Sequence, residues 1–178
     1  MANSISKAFH QSTLSRYKSY KVMAEKALAQ VSDEQFFADI HSGGNCLAVI
    51  VKHMAGNMIS RWTDFMTTDG EKPDRHRDNE FIISSENSRE ELMAYWESAW
   101  AVCLTEIEKL SPEDLAATIT IRREAHSVVD ALLRQLAHYA YHIGQIVFVA
   151  RWHAGEKWKT LSIARGQSDA FNAKMMGK

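Results

Sequence analysis

An all-α fold, a four-helix bundle with a long connection between its second and third helices and a C-terminal tail packed on the bundle, is predicted by three features of this 178-residue sequence. Four long segments carry apolar residues at intervals of three and four, polar connections separate them, and only one short stretch alternates with the period of a strand. No linker rich in Pro, Gly and Ser divides the chain, so residues 1–178 read as one domain.

The first helix is expected over residues 5 to 30, where Ile5, Phe9, Tyr17, Tyr20, Ala24, Ala27, Leu28 and Val31 are helically spaced and neither Pro nor Gly intervenes. After Ser42-Gly43-Gly44, Asn45 is a suitable N-cap. Leu47, Ile50, Val51, Met54, Met58, Trp62 and Phe65 then predict a second helix to about Met66. Residues 67 to 87 are polar and contain Gly70 and Pro73, which makes them a long connection; a connection of that length in a compact domain often has a functional reason. Ser88 with Glu91 forms a capping box, and Leu92, Trp96, Ala99, Cys103, Ile107 and Leu110 follow as the third helix. Pro112 starts a short helical turn, and Thr118–Ile121 alternates as a short extended segment. From Ser127 to His153 runs the most apolar stretch, the fourth and central helix, although Gly144 inside it lowers helix propensity by about 1 kcal/mol. The tail from Trp158 to Ser168 has no strong period and is expected to lie across the bundle or against a partner chain.

A net charge of −1 provides no broad basic surface, which argues against a nucleic-acid binder. No stretch approaches the roughly 18 apolar residues of a membrane helix, and the N-terminus lacks an apolar core with a cleavage site, so a soluble, cytoplasmic protein is expected. Cys46 and Cys103 lack CxxC spacing and read as buried thiols.

Chemistry is carried by histidines. His138 and His142 stand one helical turn apart, so their imidazoles share a face, and two side chains so spaced can grip one ion. His53 borders the apolar stripe of the second helix, with Asn57 a turn later and Asp64 two turns beyond. Gln135, His138, His142 and Gln145 border that of the fourth. Two helices with polar margins can meet around a pocket, and a third ligand from another helix would complete a facial set with open positions. The competing reading for any single histidine is one hydrogen bond to a backbone carbonyl, and His10, His41, His76, His126 and His153 are assigned to it. His138-Tyr139-Ala140-Tyr141-His142 also lacks the glutamate of the HExxH metalloprotease motif. Three neutral imidazoles without a carboxylate suit zinc, nickel or iron better than magnesium or calcium. Asn57, Arg61 and Gln145 are candidates for orienting ligands or substrate. Arg61, Arg77 and Arg134 are weighed as anion-binding groups against the commoner solvated surface. No residue is marked as a general base.

The chain resembles the DinB-like superfamily of metal-binding four-helix bundles, in a branch of uncharacterised function. The resemblance rests on Val51–Asn57 with Arg61–Phe65, on Asp69–Pro73 with Arg77-Asp78, on Arg134–Ile146, and on Leu161–Ser168 with Phe171-Asn172. It implies that His53, His138 and His142 are the ligands of a divalent metal. It also implies an enzyme acting on a small-molecule substrate, in a thiol-linked transfer that uses a low-molecular-weight thiol, or in hydrolysis; the transfer of reaction type is analogy. The contrasting expectation is a non-enzymatic, metal-stabilised module for ligand binding or dimerisation, in which the ion contributes folding free energy. A homodimer is expected to be compatible with either.

Overall fold

In the computed structural model, which describes residues 2–177, the chain is mostly helical, with one small two-stranded sheet. The six helices are α1 (Ala2–Leu28), α2 (Asp33–Phe37), α3 (Leu47–Trp62), α4 (Arg89–Glu108), α5 (Val128–Ala154) and α6 (Ser168–Met175). The strands β1 (Thr118–Ile121) and β2 (Glu124–Ser127) form an antiparallel hairpin.

α1 packs on α4 and α5, and α3 packs on the same two. The apolar faces expected of these helices meet in one core cluster, in which Tyr17, Met58, Trp62, Trp96, Trp100 and Tyr139 are fully buried. Tyr17 ties α1 to α5 by donating its hydroxyl to the Leu132 carbonyl at 2.8 Å, and Trp62 Nε1 donates to the Tyr139 hydroxyl at 2.9 Å. α4 begins at the expected capping box, where Ser88 and Glu91 satisfy each other's backbone amides. α2 was not anticipated. It is a single turn, opened by a Ser32–Gln35 capping box, and it sinks Phe36 into the core.

Both ends of α3 differ from expectation. Cys46, not Asn45, occupies the N-cap of α3. α3 stops at Trp62 instead of continuing to Met66, because Thr63 is extended and Asp64 turns left-handed (φ 48°), with Thr67 and Thr68 closing the turn on the Asp64 carbonyl. Phe65 kept the helical period because it folds back onto Trp62, ring centroids 5.1 Å apart. The tail touches the core only partly: Trp158 and Leu161 pack against it, whereas α6 buries none of its residues.

The long connection is anchored rather than loose. Gly70 N donates to the Thr120 carbonyl, and the Asp69 carboxylate accepts from the amides of Glu71, Arg122 and Arg123, each at 2.8 Å. Those three bonds hold the Asp69 carboxyl down at about 2. They also explain an unusual turn. Arg122 and Arg123 at the tip of the hairpin both have positive φ (53° and 65°), a conformation normally left to Asn and Gly, and Asp69 offsets part of its cost. Beyond it, Arg77–Phe81 forms a turn of 3-10 helix that packs on α3 and carries Glu80 inward.

Candidate metal centre

α3 and α5 place the three histidines where their polar margins meet. His53 is buried among the apolar residues of α3, and His138 and His142 stand half-buried one turn apart on α5. The ring centroids lie 4.6 Å apart for His138–His142, 4.9 Å for His53–His142 and 5.6 Å for His53–His138. One ligand nitrogen from each falls within 4.8 Å of the other two, the one such group among the described residues.

Outward hydrogen bonds fix which nitrogens face the centre. His53 Nδ1 lies 2.8 Å from Glu80 Oε2, and His142 Nδ1 lies 2.8 Å from Gln145 Oε1. An ionised carboxylate and an amide oxygen can only accept, so both rings carry a proton on Nδ1 and turn Nε2 toward the centre. His142 Nε2 is then 3.0 Å from His138 Nε2. Burial, the neighbouring His142 and His53 rings and the nearby Arg61 and Arg75 push the His138 imidazole down to about 3. Burial likewise lowers His142, against the opposing bond to Gln145. These two rings are therefore neutral at ordinary pH, which is the state that binds metal.

Glu80 and Arg75 had no counterpart in the sequence reading. Burial alone would raise the Glu80 carboxyl, but the bond from His53 and the bidentate grip of Arg75 outweigh it and hold it low and ionised. Arg75 Nε donates to Glu80 Oε1 at 2.8 Å and Nη2 to Oε2 at 2.9 Å. The only hint in the chain was the suspicion that the 67–87 connection has a functional reason; nothing in the spacing of Glu80 marks it as a partner of His53. α3 makes room by a glycine: a Cβ on Gly56 would stand 2.4 Å from Glu80 Oε1.

A family model described as "Protein of unknown function (DUF1572)" matches residues 4–167. The chain belongs to this family. No curated protein matches it.

The remaining candidates of this DUF1572 chain fall into separate roles. Gln145 orients His142. Asn57 is buried and accepts from Gln135 Nε2 at 2.7 Å, and Gln135 also reaches the Tyr139 hydroxyl at 3.2 Å, so Asn57 belongs to a network joining α3 to α5. Arg61 is buried and faces Glu71 at 3.5 Å. Asp64, expected on the polar line of α3, lies beyond the helix end and is exposed. His10 and His153 bond to the carbonyls of Ile107 and Ala38, His41 bonds to that of Ser42, and His126 pairs with Asp130, which leaves them apart from the cluster. Both cysteines are buried free thiols. No helix of the described residues is long and apolar enough to cross a membrane.

Proposed function

We propose that this DUF1572 protein is a DinB-like four-helix bundle whose His53, His138 and His142 hold one divalent transition-metal ion, and that it is a metal-dependent enzyme acting on a small molecule. The observation that carries this reading is the pair of outward bonds, His53 to Glu80 and His142 to Gln145, which occupy Nδ1 of each ring and turn Nε2 inward. Metal-bound histidines almost always donate their other ring nitrogen in this way. The separation of the nitrogens fits as well. Two nitrogens each about 2.0–2.1 Å from one zinc ion can stand no more than about 4.2 Å apart, and His138 Nε2 and His142 Nε2 are 3.0 Å apart. An all-nitrogen set favours zinc, nickel or iron.

When bound, the ion supplies positive charge that lowers the pKa of a thiol or water at an open position. The chain's own part is positional. Glu80, held by Arg75, fixes His53; Gln145 fixes His142; and Asn57 with Gln135 closes the floor between α3 and α5. Thiol-linked transfer is the preferred reaction and hydrolysis the alternative, in a cytoplasmic protein that acts as a monomer or homodimer. A non-enzymatic metal-stabilised module is the second reading. It is favoured by the state of Glu80, the carboxylate hydrogen-bonded to His53, which is tied by Arg75 and His53 and not free to accept a substrate proton.

The deciding experiment is metal content by elemental mass spectrometry on untagged protein. About one ion per chain in wild type, lost in His53→Ala with helix content retained, is the expected result. Stoichiometric metal in the triple alanine variant of His53, His138 and His142 refutes the site. A screen of thiol and electrophile pairs that finds no metal-dependent turnover leaves the module.

A further inference from the structure

Beside the histidines, and sharing His53 and His138 as walls, lies a polar cleft of about 200 Å³. Five guanidinium groups line it, those of Arg61, Arg75, Arg77, Arg122 and Arg134, and none of its lining residues is acidic. The carboxylates paired with them are Glu71, which Arg61, Arg75 and Arg122 share, Glu80 on Arg75, and solvent-exposed Asp78 at 3.8 Å from Arg77. Five guanidinium charges against three carboxylates leave the cleft cationic.

Arg61 is the decisive residue. Its side chain is only 5% exposed, and its Nε and Nη1 have no hydrogen-bond partner among the described residues. Its one ion-pair partner among the described residues is Glu71, at 3.5 Å and divided among three arginines. A guanidinium is not placed in a protein interior without compensation, since an unpaired buried charge is strongly destabilising. Arg134 stands across the cleft on α5, one turn before His138, and is in no ion pair among the described residues.

We infer that this cleft is an oxyanion subsite, in which Arg61 and Arg134, assisted by Arg122, bind the acid group of the substrate while its reacting end lies at the histidines. The cleft is smaller than the roughly 300–1,000 Å³ of drug-sized pockets, which selects a short acid of a few carbons. Arginine suits carboxylate and phosphate alike, since both accept two parallel N–H bonds. Arg75 takes no part, because Glu80 occupies its fork. This inference rests on the metal reading for the position of the reacting end, but not for the binding of the anion.

The test is isothermal titration of succinate, and separately of inorganic phosphate, into the chelator-treated full-length protein at low ionic strength, with sodium chloride as control. Saturable one-site binding of either is expected, weakened at least about tenfold in Arg134→Ala, the charge-assisted bonds being worth that much. Which titrant binds identifies the acid group. Arg61→Gln is expected to abolish binding, with circular dichroism reporting its fold. Arg134 is exposed, so its variant remains informative if Arg61→Gln unfolds. Failure of both titrants to saturate, binding of chloride as tight as that of the acids, or wild-type binding in Arg134→Ala overturns the subsite. Zinc binding is measured on the same preparations. Anion binding by a protein that takes up no zinc refutes the metal site alone, and zinc uptake without anion binding refutes the subsite alone.

Discussion

Replacing Gly56 by alanine sets two calculable effects against each other. In a helix interior alanine is favoured over glycine by about 0.5–1 kcal/mol, so a substitution that met nothing would stabilise α3. Here the new Cβ would stand 2.4 Å from Glu80 Oε1 and 2.8 Å from its Cδ, well inside contact distance, so the carboxylate must move. Moving it strips Arg75 and His53 of their shared partner, and breaking a buried charge pair costs about 3–5 kcal/mol. The net expectation is a loss of about 2–4 kcal/mol in the metal-free protein. Freed from Glu80, the His53 ring loses its orientation, and zinc affinity should fall about 10–100-fold. Urea denaturation of chelator-treated protein gives the first number, and zinc competition with a chromophoric chelator gives the second. The control is Gly56→Ala in a Glu80→Ala background, where the clash is absent and alanine should be neutral or stabilising. If Gly56→Ala alone stabilises the protein by about 1 kcal/mol and leaves zinc affinity unchanged, the argument that Glu80 holds His53 is wrong.

Gln145→Ala should weaken zinc binding without altering stoichiometry, by less than Glu80→Ala, since a neutral acceptor orients and polarises an imidazole less than a carboxylate does; chelator competition on both variants checks the order. Arg123→Gly should raise stability by about 1 kcal/mol by relieving the left-handed backbone at the hairpin tip, read as a shifted urea midpoint with unchanged slope. The Asp69 carboxyl is held at about 2, below its ordinary value, so its contribution is present above that ordinary value and is lost as pH falls toward 2. Asp69→Asn should therefore flatten the loss of stability with acid in that window while lowering stability at neutral pH, as measured by denaturation at a series of pH values. Removing residues 168–178 should change stability by less than about 0.5 kcal/mol, because no residue of α6 is buried; an appreciable drop in melting temperature would show a contact unaccounted for.

The long helices were legible because each buries a stripe, and a stripe leaves a period: Leu92, Trp96, Ala99 and Cys103 reveal α4 whether or not its partners are known. The histidines were legible for the same reason, being polar breaks at the margins of two such stripes. Glu80 and Arg75 were not. Their pairing joins a connection to a helix, and connections have no period that says which residue turns inward. The hairpin was half visible. Ile119 and Ile121 alternate as a strand should, but Arg122-Arg123 is no turn signal, because its conformation is stabilised by Asp69 on another segment. The end of α3 was misplaced because Phe65, past the helix, occupies the site that a further helical turn would have filled.

The Asp69 clamp and the Glu80 contact together make the chain between them a span of fixed length. One end is pinned to the hairpin tip and the other to His53, so residues inserted between Gly70 and Phe81 would push a carboxylate out of register with an imidazole. The stretch from Ile82 to Asn87 makes no contact with the histidines: Lys52 of α3 bonds the Ile82 carbonyl, and Ile83 packs against the core. Variation in loop length among related chains should therefore gather on the α4 side of Phe81, and a tag or reporter placed there would leave the histidines undisturbed.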